Sequence, residues 1–367
     1  MSGNRTAVML GVYNEVSLSV ATFFAGMFTV RPGNIHSSED VEIDITRAGE
    51  DVAIVVNGPD GYRMNADDLY SNKSFKPPVF KEAWTVNAWT LLKRQAGDNP
   101  FADAPIRAKL TNRVFRGAAK VEEKVRRSIE WQAAQVMQTG KIKFSDEVGK
   151  VLYELDYQPK ASHFPTVSVA WSDTATADPI ADLSKIVNVV RKDGKRRPDT
   201  VIMGSNAIEN FLANKKVLEY FDNRRIDRGT IAPALINGSD SGEYRGTIEV
   251  GAYKLDLWTY GDTYTDPQSK ETKEYLDPDN VVVRASTGRL DGTFGAVPNI
   301  GALLGANSRA RVLPELPGRL SDAANGMDLH FNAWLDETGE NLFAGVAARP
   351  LMVPTAIDTF GCLKTKL

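Results

Sequence analysis

The stretch from residue 106 to residue 141 constrains this chain most, because it carries one uninterrupted helical pattern. Asp103 and Pro105 provide a start signal, and Gly140 provides a stop. At about 1.5 Å per residue the predicted helix is roughly 50 Å long, more than a compact domain usually needs. Apolar or small side chains recur every three or four residues, the period of one helix face. They are Ile106, Leu110, Val114, Ala118, Val121, Val125, Ile129, Ala133 and Val136.

The other faces of this helix are mostly Arg, Lys and Glu, so the helix is too charged to cross a membrane. We expect the apolar stripe to pack on a core, with Leu110, Val114, Val121, Val125 and Ile129 as its core residues. The sequence thus predicts a long rod that is buried along one side.

Composition excludes several classes of protein. Of the 367 residues 25% are charged and the net charge is −3, whereas a dedicated nucleic-acid-binding protein is usually much more basic. A single cysteine, Cys362, excludes an internal disulfide and favours a reducing compartment such as a cytoplasm. The apolar patch at 20–28 lacks the pattern of a signal peptide. We therefore interpret residues 1–39 as an arm of the mature chain. Its apolar anchor includes Phe23 and Phe24, which are candidate contacts with a neighbouring subunit.

A long polar excursion follows the arm. Strands are predicted at 41–46, at 51–56 as a more buried strand, and at 79–94. The segment 57–78 between the last two is too long for an ordinary loop of a compact domain. We therefore expect it to form a protruding hairpin or loop that contacts a partner. Its few large apolar side chains are the candidate contacts, and they are Tyr62, Met64, Leu69, Tyr70 and Phe75.

The rest of the chain alternates helix and strand patterns. A strand is predicted at 148–157 after the long helix. A helix is predicted at 177–194, with Asp178 as its cap and Gly194 as its stop. Residues 199–221 have the pattern of a buried strand, a tight turn and a helix. Together with later strands they indicate an α/β lobe. A hairpin at 334–346 returns to the first lobe, which is therefore predicted to be discontinuous in sequence.

Motifs that carry chemistry are missing from the sequence. The three histidines, His36, His163 and His330, lack ligand spacing, and there is no His-Glu-x-x-His or Cys-x-x-Cys motif. Ser205 lies at a predicted strand-to-helix turn without the glycines of a nucleophile elbow, so Ser205 or Asn206 is interpreted as a helix cap. The aspartates at 262–279 do not match a calcium loop. We predict no catalytic residue, no cofactor and no metal site.

Two charged clusters remain, at 191–197 and at 221–230. Both fit a solvated turn. The second mixes signs within a few residues, which is typical of complementary contacts between subunits as well. Its candidate contact residues are Arg224, Arg225, Asp227 and Arg228.

Five segments, in this order, resemble the major capsid proteins of tailed bacteriophages, specifically the lambda-like capsid protein E family with the Hong Kong 97 capsid fold. They are FKPPVFKEAWTVNAWTLLKR; the long helix ending in TGK; VAWSDTATADPIADL, with Trp171 and Asp178-Pro179; DTVIMGSNAIENFLANKKVLEYFDNRR; and YLDPDNVVV together with AARPLMVPTAID. The resemblance covers nearly the whole chain and depends on the order of the segments.

The resemblance implies an α+β fold of the Hong Kong 97 type, with an N-terminal arm, an extended β-hairpin loop, a long spine helix in a peripheral domain and an α/β axial domain. The arm would be 1–39, and the extended loop with its flanking strands 40–100. The peripheral domain would be 101–178, with the spine helix at about 105–139, and would be completed by 325–349. The axial domain would be 179–324, completed by 350–367. The loop is expected to lie over an adjacent subunit and the arm to clasp another.

The resemblance also implies a structural, non-enzymatic major capsid protein that self-assembles into the icosahedral head shell around phage double-stranded DNA. The implied partners are many copies of itself as hexamers and pentamers, a portal protein, a separate scaffold and a decoration protein. DNA would be enclosed without sequence-specific binding, and no membrane takes part. The implied location is the virion, after assembly in the host bacterial cytoplasm. Since the arm begins almost at residue 1, scaffold and protease are expected to be separate chains.

Two alternatives stay open at this point. An encapsulin-like nanocompartment shell shares the fold but encloses cargo protein. An enzyme with its site in the α/β lobe would need converging titratable groups, which the sequence does not offer.

Overall fold

The computed structural model describes residues 22–36, 38, 40–45, 71–91, 106–145, 148–221, 229–230, 242–297, 329–336 and 338–367. The α-helices are α1 Ala88–Leu91, α2 Ile106–Thr139, α3 Pro179–Gly194, α4 Ser205–Ala213 and α5 Lys215–Phe221. The strands are β1 Thr29–Ile35, β2 Val41–Ile45, β3 Ser71–Phe75, β4 Phe80–Asn87, β5 Lys141–Ser145, β6 Val151–Asp156, β7 Thr200–Met203, β8 Gly229–Thr230, β9 Gly242–Val250, β10 Tyr253–Tyr260, β11 Thr263–Thr265, β12 Thr272–Glu274, β13 Asn280–Arg284, β14 Asp291–Phe294, β15 His330–Leu335, β16 Asn341–Ala348, β17 Pro350–Val353 and β18 Phe360–Lys364. Short 3-10 turns lie at Ala25–Met27, Ala161–His163 and Ile357–Thr359.

The long helix α2 has 34 residues and ends where the apolar spacing predicts. Gly140 follows it with a φ of 66°, a left-handed conformation that glycine adopts without strain. Val114, Val121, Val125 and Ile129 of the predicted stripe are buried. Leu110 is partly buried and packs beside Val114. Charged side chains occupy the wetter faces, for example the Arg126–Glu122 pair at 2.8 Å.

A three-stranded antiparallel sheet, in the order β15-β16-β4, packs on the first half of α2. Val86, Val114, Leu342 and Ala344 form the buried cluster between the sheet and the helix. The prediction of one strand over 79–94 was wrong at its end, because β4 stops at Asn87 and α1 follows. The Asn87 side chain accepts a hydrogen bond from the Trp89 amide at 2.8 Å, which turns the backbone into that helix.

The strand pairing at the base of the predicted extended loop also differs from the prediction. The strand that pairs with β2 is β3, which lies inside the segment predicted to be a polar excursion. The strand β4 pairs with β16 instead, far along the sequence. The predicted buried strand at 51–56 and most of the excursion lie outside the described residues.

A second hairpin, formed by β5 and β6, follows the long helix directly. The prediction of a strand at 148–157 included β6 but missed β5. Phe144 of β5 packs edge-on against Trp131 of the long helix, with ring centroids 4.9 Å apart. The hairpin is thereby attached to the C-terminal half of the helix.

The α/β lobe contains a six-stranded sheet in the order β18-β13-β7-β10-β9-β8. Only the β7–β10 pair is parallel among the strand pairs described in this sheet. The helix α3 packs on it through Leu183, Ile186, Val187 and Val190, all buried. Its cap is as predicted, since Asp178 Oδ1 accepts from the Ala181 amide at 3.0 Å.

The helix α3 ends at Gly194 as predicted, but the residues predicted to stop α3 and to cap α4 were wrong. The left-handed residue that ends α3 is Lys195, with a φ of 54°. Gly194 is still helical and is needed because a Cβ there would clash with the Asp358 carbonyl oxygen. The N-cap of α4 is Gly204 rather than Ser205 or Asn206. Ser205 instead donates from Oγ to the Glu274 carboxylate at 3.0 Å.

A third sheet, in the order β1-β14-β17, brings the arm into the body of the chain. The arm strand β1 pairs in parallel with β14. The described part of the arm therefore packs on its own chain before any neighbour is considered.

Candidate assembly surfaces

The N-terminal arm is attached to the long helix through one buried carboxylate, that of Glu130. Glu130 Oε1 accepts hydrogen bonds from the Phe24 amide at 2.7 Å and from the Tyr260 hydroxyl at 2.9 Å, while Oε2 accepts from the Ala25 amide at 2.8 Å. The side chain is 1% exposed. Burial raises the pKa of Glu130, and the hydrogen bonds it accepts oppose that rise.

Aromatic rings surround this carboxylate. Phe24 meets Tyr260 edge to face with ring centroids 5.1 Å apart, and Phe23 stacks on the same tyrosine at 5.0 Å. A side chain at Gly242 would clash with the Phe23 ring, so the glycine makes room for it. Burial raises the pKa of the Tyr260 hydroxyl, and the nearby Glu130 charge adds to the rise.

These contacts change the interpretation of Phe23 and Phe24, which were predicted to contact neighbouring subunits. Phe24 is fully buried in its own chain, so its side chain has no surface left for a neighbour. Phe23 is half-buried against Tyr260 and Trp258. Together they anchor the start of the described arm.

A pH dependence follows from Glu130. Its pKa in the folded chain lies above the ordinary value of 4.5, so protonation favours the folded state. That stabilising contribution is fully present below the unfolded-state pKa and is lost as the pH rises through the folded-state pKa. We expect the parent chain to gain stability relative to Glu130→Gln, which cannot titrate there, as the pH falls through this window.

Urea unfolding of both chains at a series of pH values measures this effect, because the other titrating groups cancel in the difference. A difference in unfolding free energy that does not vary with pH would contradict the raised pKa. The sign also matters: a parent chain that loses stability relative to the variant on acidification would show that the hydrogen bonds outweigh burial.

A second buried carboxylate holds the arm strand β1. Asp291 is 4% exposed and pairs with Arg289 at 2.6 Å. It accepts from the Thr355 hydroxyl at 2.6 Å and from the Asn34 amide nitrogen of the arm at 3.3 Å. Arg31 of the arm lies 3.8 Å away. The described arm is thus held at both of its ends by buried acidic side chains.

The base of the predicted extended loop is held by Phe75, another residue predicted to contact a neighbour. Phe75 is 7% exposed, and its ring meets Tyr157 edge to face with centroids 5.6 Å apart. The Tyr157 hydroxyl donates to the Met352 carbonyl at 2.9 Å. Phe75 therefore belongs to the core of its own chain, and we reassign it from a contact residue to an anchor of the loop.

The remaining candidates lie outside the described residues. They are Tyr62, Met64, Leu69 and Tyr70 of the loop, and Arg224, Arg225, Asp227 and Arg228 of the charged turn. Their assignment to subunit contacts stays a prediction.

Groups that carry chemistry in other proteins have structural contacts here. His163 is buried, with Nδ1 2.7 Å from the Phe360 carbonyl oxygen and Nε2 3.2 Å from Asp193. Burial raises the pKa of the Cys362 thiol to about 12, so it is a poor nucleophile. The described part of the chain contains no group of three or more His, Cys, Asp or Glu side chains placed to hold a metal ion. None of its helices is long and apolar enough to cross a membrane.

Sequence reasoning missed Glu130 and Asp291. One signal for Glu130 was present: it is the single charged residue between Arg127 and Lys141. A helix that loses its charges over that length is buried on most sides, and a lone charge within it needs internal partners. Asp291 has no comparable local signal.

The chain matches one protein family and is similar to solved structures of phage proteins. The family model of phage major capsid protein E matches residues 5–364. The putative capsid protein of a prophage of E. coli CFT073 is 17% identical, with 99% of each chain covered and a TM-score of 0.65. A phage-related protein of Bordetella bronchiseptica RB50 is 11% identical, with 97% of this chain and 96% of that chain covered and a TM-score of 0.48. No curated protein matches the chain.

The predicted fold class of the Hong Kong 97 type is confirmed, since the mixed helix and sheet architecture matches that of the prophage capsid protein over 99% of both chains. The family model covers nearly the whole chain and describes a shell-forming structural protein rather than an enzyme. The chain belongs to the phage major capsid protein E family.

Proposed function

We propose that this chain forms the icosahedral head of a tailed phage from hexamers and pentamers, with the extended loop of each subunit lying on a neighbour. The proposal is supported by the structure at the base of that loop. The strands β2 and β3 form a two-stranded sheet that joins no other sheet in the described part of the chain. Its Val41–Phe75 pair is buried in the core of the chain. A two-stranded hairpin without such packing is marginally stable in water, so the continuation of this one needs a surface to pack on.

Self-assembly supplies such a surface many times over. In a closed shell each weak contact recurs at every equivalent position, so a loop with few apolar side chains is stabilised by repetition. We propose Tyr62, Met64, Leu69 and Tyr70 as the side chains that pack on the neighbour. The turn with Arg224, Arg225, Asp227 and Arg228 is proposed as a polar contact between subunits of one capsomer.

The remaining partners are proposed from family membership. A portal protein, a separate scaffold and a decoration protein would join the shell, and assembly would take place in the host bacterial cytoplasm. The net charge of −3 fits a container that encloses double-stranded DNA without binding its sequence. An encapsulin-like shell around cargo protein is the alternative. Electron microscopy of purified particles, with assay of their nucleic-acid content, distinguishes the two.

The strand register shows where the loop can be removed without breaking the pairing of β2 and β3. Ile45 and Ser71 face each other in the β2–β3 register, so a two-residue Asn-Gly turn can join them in place of residues 46–70. We expect this shortened chain to fold with an unchanged melting temperature but to fail to form closed particles. Circular dichroism reports the fold, and sedimentation reports assembly.

A matched variant keeps the loop length and replaces Tyr62, Met64, Leu69 and Tyr70 with serine. It is expected to assemble as poorly as the shortened chain, since the apolar contacts carry the interaction. Intact shells from the shortened chain would contradict the proposed role of the loop. Loss of folding would show that the loop belongs to the core of the subunit.

A further inference from the structure

The end of the β5–β6 hairpin presents an apolar surface to solvent. Val148 is 92% exposed, Leu152 67% and Val151 40%. We call these three residues the apolar tip. Large aliphatic side chains are common singly on a protein surface, but three within five residues at one hairpin end form a patch.

A β-bulge contributes to this exposure at Val151. In the β5–β6 register Phe144 pairs with Tyr153 and Ser145 pairs with Val151, so Leu152 has no opposite residue. Without the bulge, Val151 and Leu152 would point to opposite faces of the hairpin. The bulge breaks that alternation, and both side chains are left exposed. Bulges that redirect side chains in this way occur at functional positions more often than by chance.

The strands beneath the apolar tip carry both signs of charge. Lys141 Nζ pairs with Asp156 at 2.8 Å, and Lys143 stands opposite Glu154 in the register. Two lysines and two acidic residues leave this face without net charge. A surface for DNA phosphates would be positive, so nucleic acid does not fit it. A protein surface that carries charges of both signs around apolar side chains does fit this face.

We propose that the apolar tip is a contact surface for a second copy of this chain. The proposal deepens the proposed function, because it rests on self-assembly and names a surface other than the extended loop and the charged turn. A shell repeats each subunit contact at every equivalent position. A patch of only three aliphatic residues therefore adds its small stabilising free energy to the shell at each of those positions.

Cysteine labelling tests the contact directly. The native thiol of Cys362 is 1% exposed, so Leu152→Cys provides the accessible thiol of the chain. We compare its rate of reaction with a maleimide in free subunits and in particles formed by the purified chain alone. The expected result is a rate about tenfold or more slower in the particles, because thiol modification requires solvent access.

Each outcome decides the question. Particles in which residue 152 stays as reactive as in free subunits would overturn the contact and leave self-assembly intact. Protection that appears only after a second kind of protein is added would also overturn it, in favour of an unlike partner. A parent chain that forms no particles would overturn the self-assembly on which the contact rests, and the contact with it.

A charge variant gives an independent readout. Leu152→Asp is expected to leave the melting temperature of the free subunit unchanged, since the side chain is exposed, and to abolish particle formation. Leu367→Asp is the control, because that leucine is 78% exposed at the C-terminal end and outside the apolar tip. Normal particles from Leu152→Asp would contradict the proposal.

Discussion

Replacing Glu130 with alanine is expected to lower the free energy of unfolding by about 3–5 kcal/mol. The substitution leaves three buried donors without their acceptor, the amides of Phe24 and Ala25 and the hydroxyl of Tyr260. Relief of the buried charge offsets part of this loss, since ionised Glu130 is itself desolvated. Urea unfolding of the purified subunit measures the difference.

Two variants calibrate that result. Tyr260→Phe removes one donor and leaves the two amide bonds, so the expected loss is about 1 kcal/mol. Glu123→Ala removes a carboxylate on the same helix that pairs with the exposed Arg127 at 3.0 Å, and a pair of that kind contributes less than about 1 kcal/mol. If Glu130→Ala were no more destabilising than Glu123→Ala, the arm would not depend on the buried carboxylate.

Loss of the carboxylate should also release the arm. The amides that Glu130 accepts from begin the 3-10 turn at Ala25–Met27, and that turn leads into β1. Limited proteolysis that cuts the arm of Glu130→Ala faster than the arm of Glu123→Ala would show the release. Equal rates would show that the Asp291 contacts hold the arm alone.

The long helix was predictable because its signal is local. Side chains three and four residues apart share a face whatever the rest of the chain does. The same reasoning found its C-terminal end at Gly140, where a left-handed residue is needed. It did not reveal that the last third of the helix is buried on several sides. There Gln132 and Gln138 are also buried, and they bond the Pro350 and Tyr275 carbonyl oxygens.

The partners of the strands were not predictable in the same way. Residues of high strand propensity identify β4 but not its neighbour, and β16 lies more than two hundred residues away. The residues that stop α3 and cap α4 were misassigned for a related reason. Gly194 and Gly204 are required by the Asp358 and Asp277 carbonyl oxygens, which the fold brings close from distant parts of the chain.

The site residues show the same limit. Burial of an aromatic side chain of an arm or a loop is equally favourable in the core of its own chain and against the surface of a neighbour. Phe24 and Phe75 are therefore indistinguishable from contact residues in the sequence, and only their burial within the chain assigns them to its core.

An aspartate in place of Val125 tests the long helix itself. Val125 is 1% exposed at the centre of the apolar stripe, so the new carboxylate would be buried away from water. We expect Val125→Asp to lower the free energy of unfolding by at least about 3 kcal/mol and to yield mostly insoluble subunits. A buried carboxyl binds its proton more tightly than an exposed one, so the loss should shrink as the pH falls.

The neighbouring residue supplies the control for that substitution. The Lys124 side chain is 62% exposed and pairs with Glu82 at 2.6 Å, so Lys124→Ala removes only a surface ion pair. The expected loss is less than about 1 kcal/mol. Thermal melting and urea unfolding of both variants against the parent measure the contrast. A Val125→Asp chain that melts with the parent would show that this stripe does not face a core, and the long helix would then have to be placed in a different rotation about its axis.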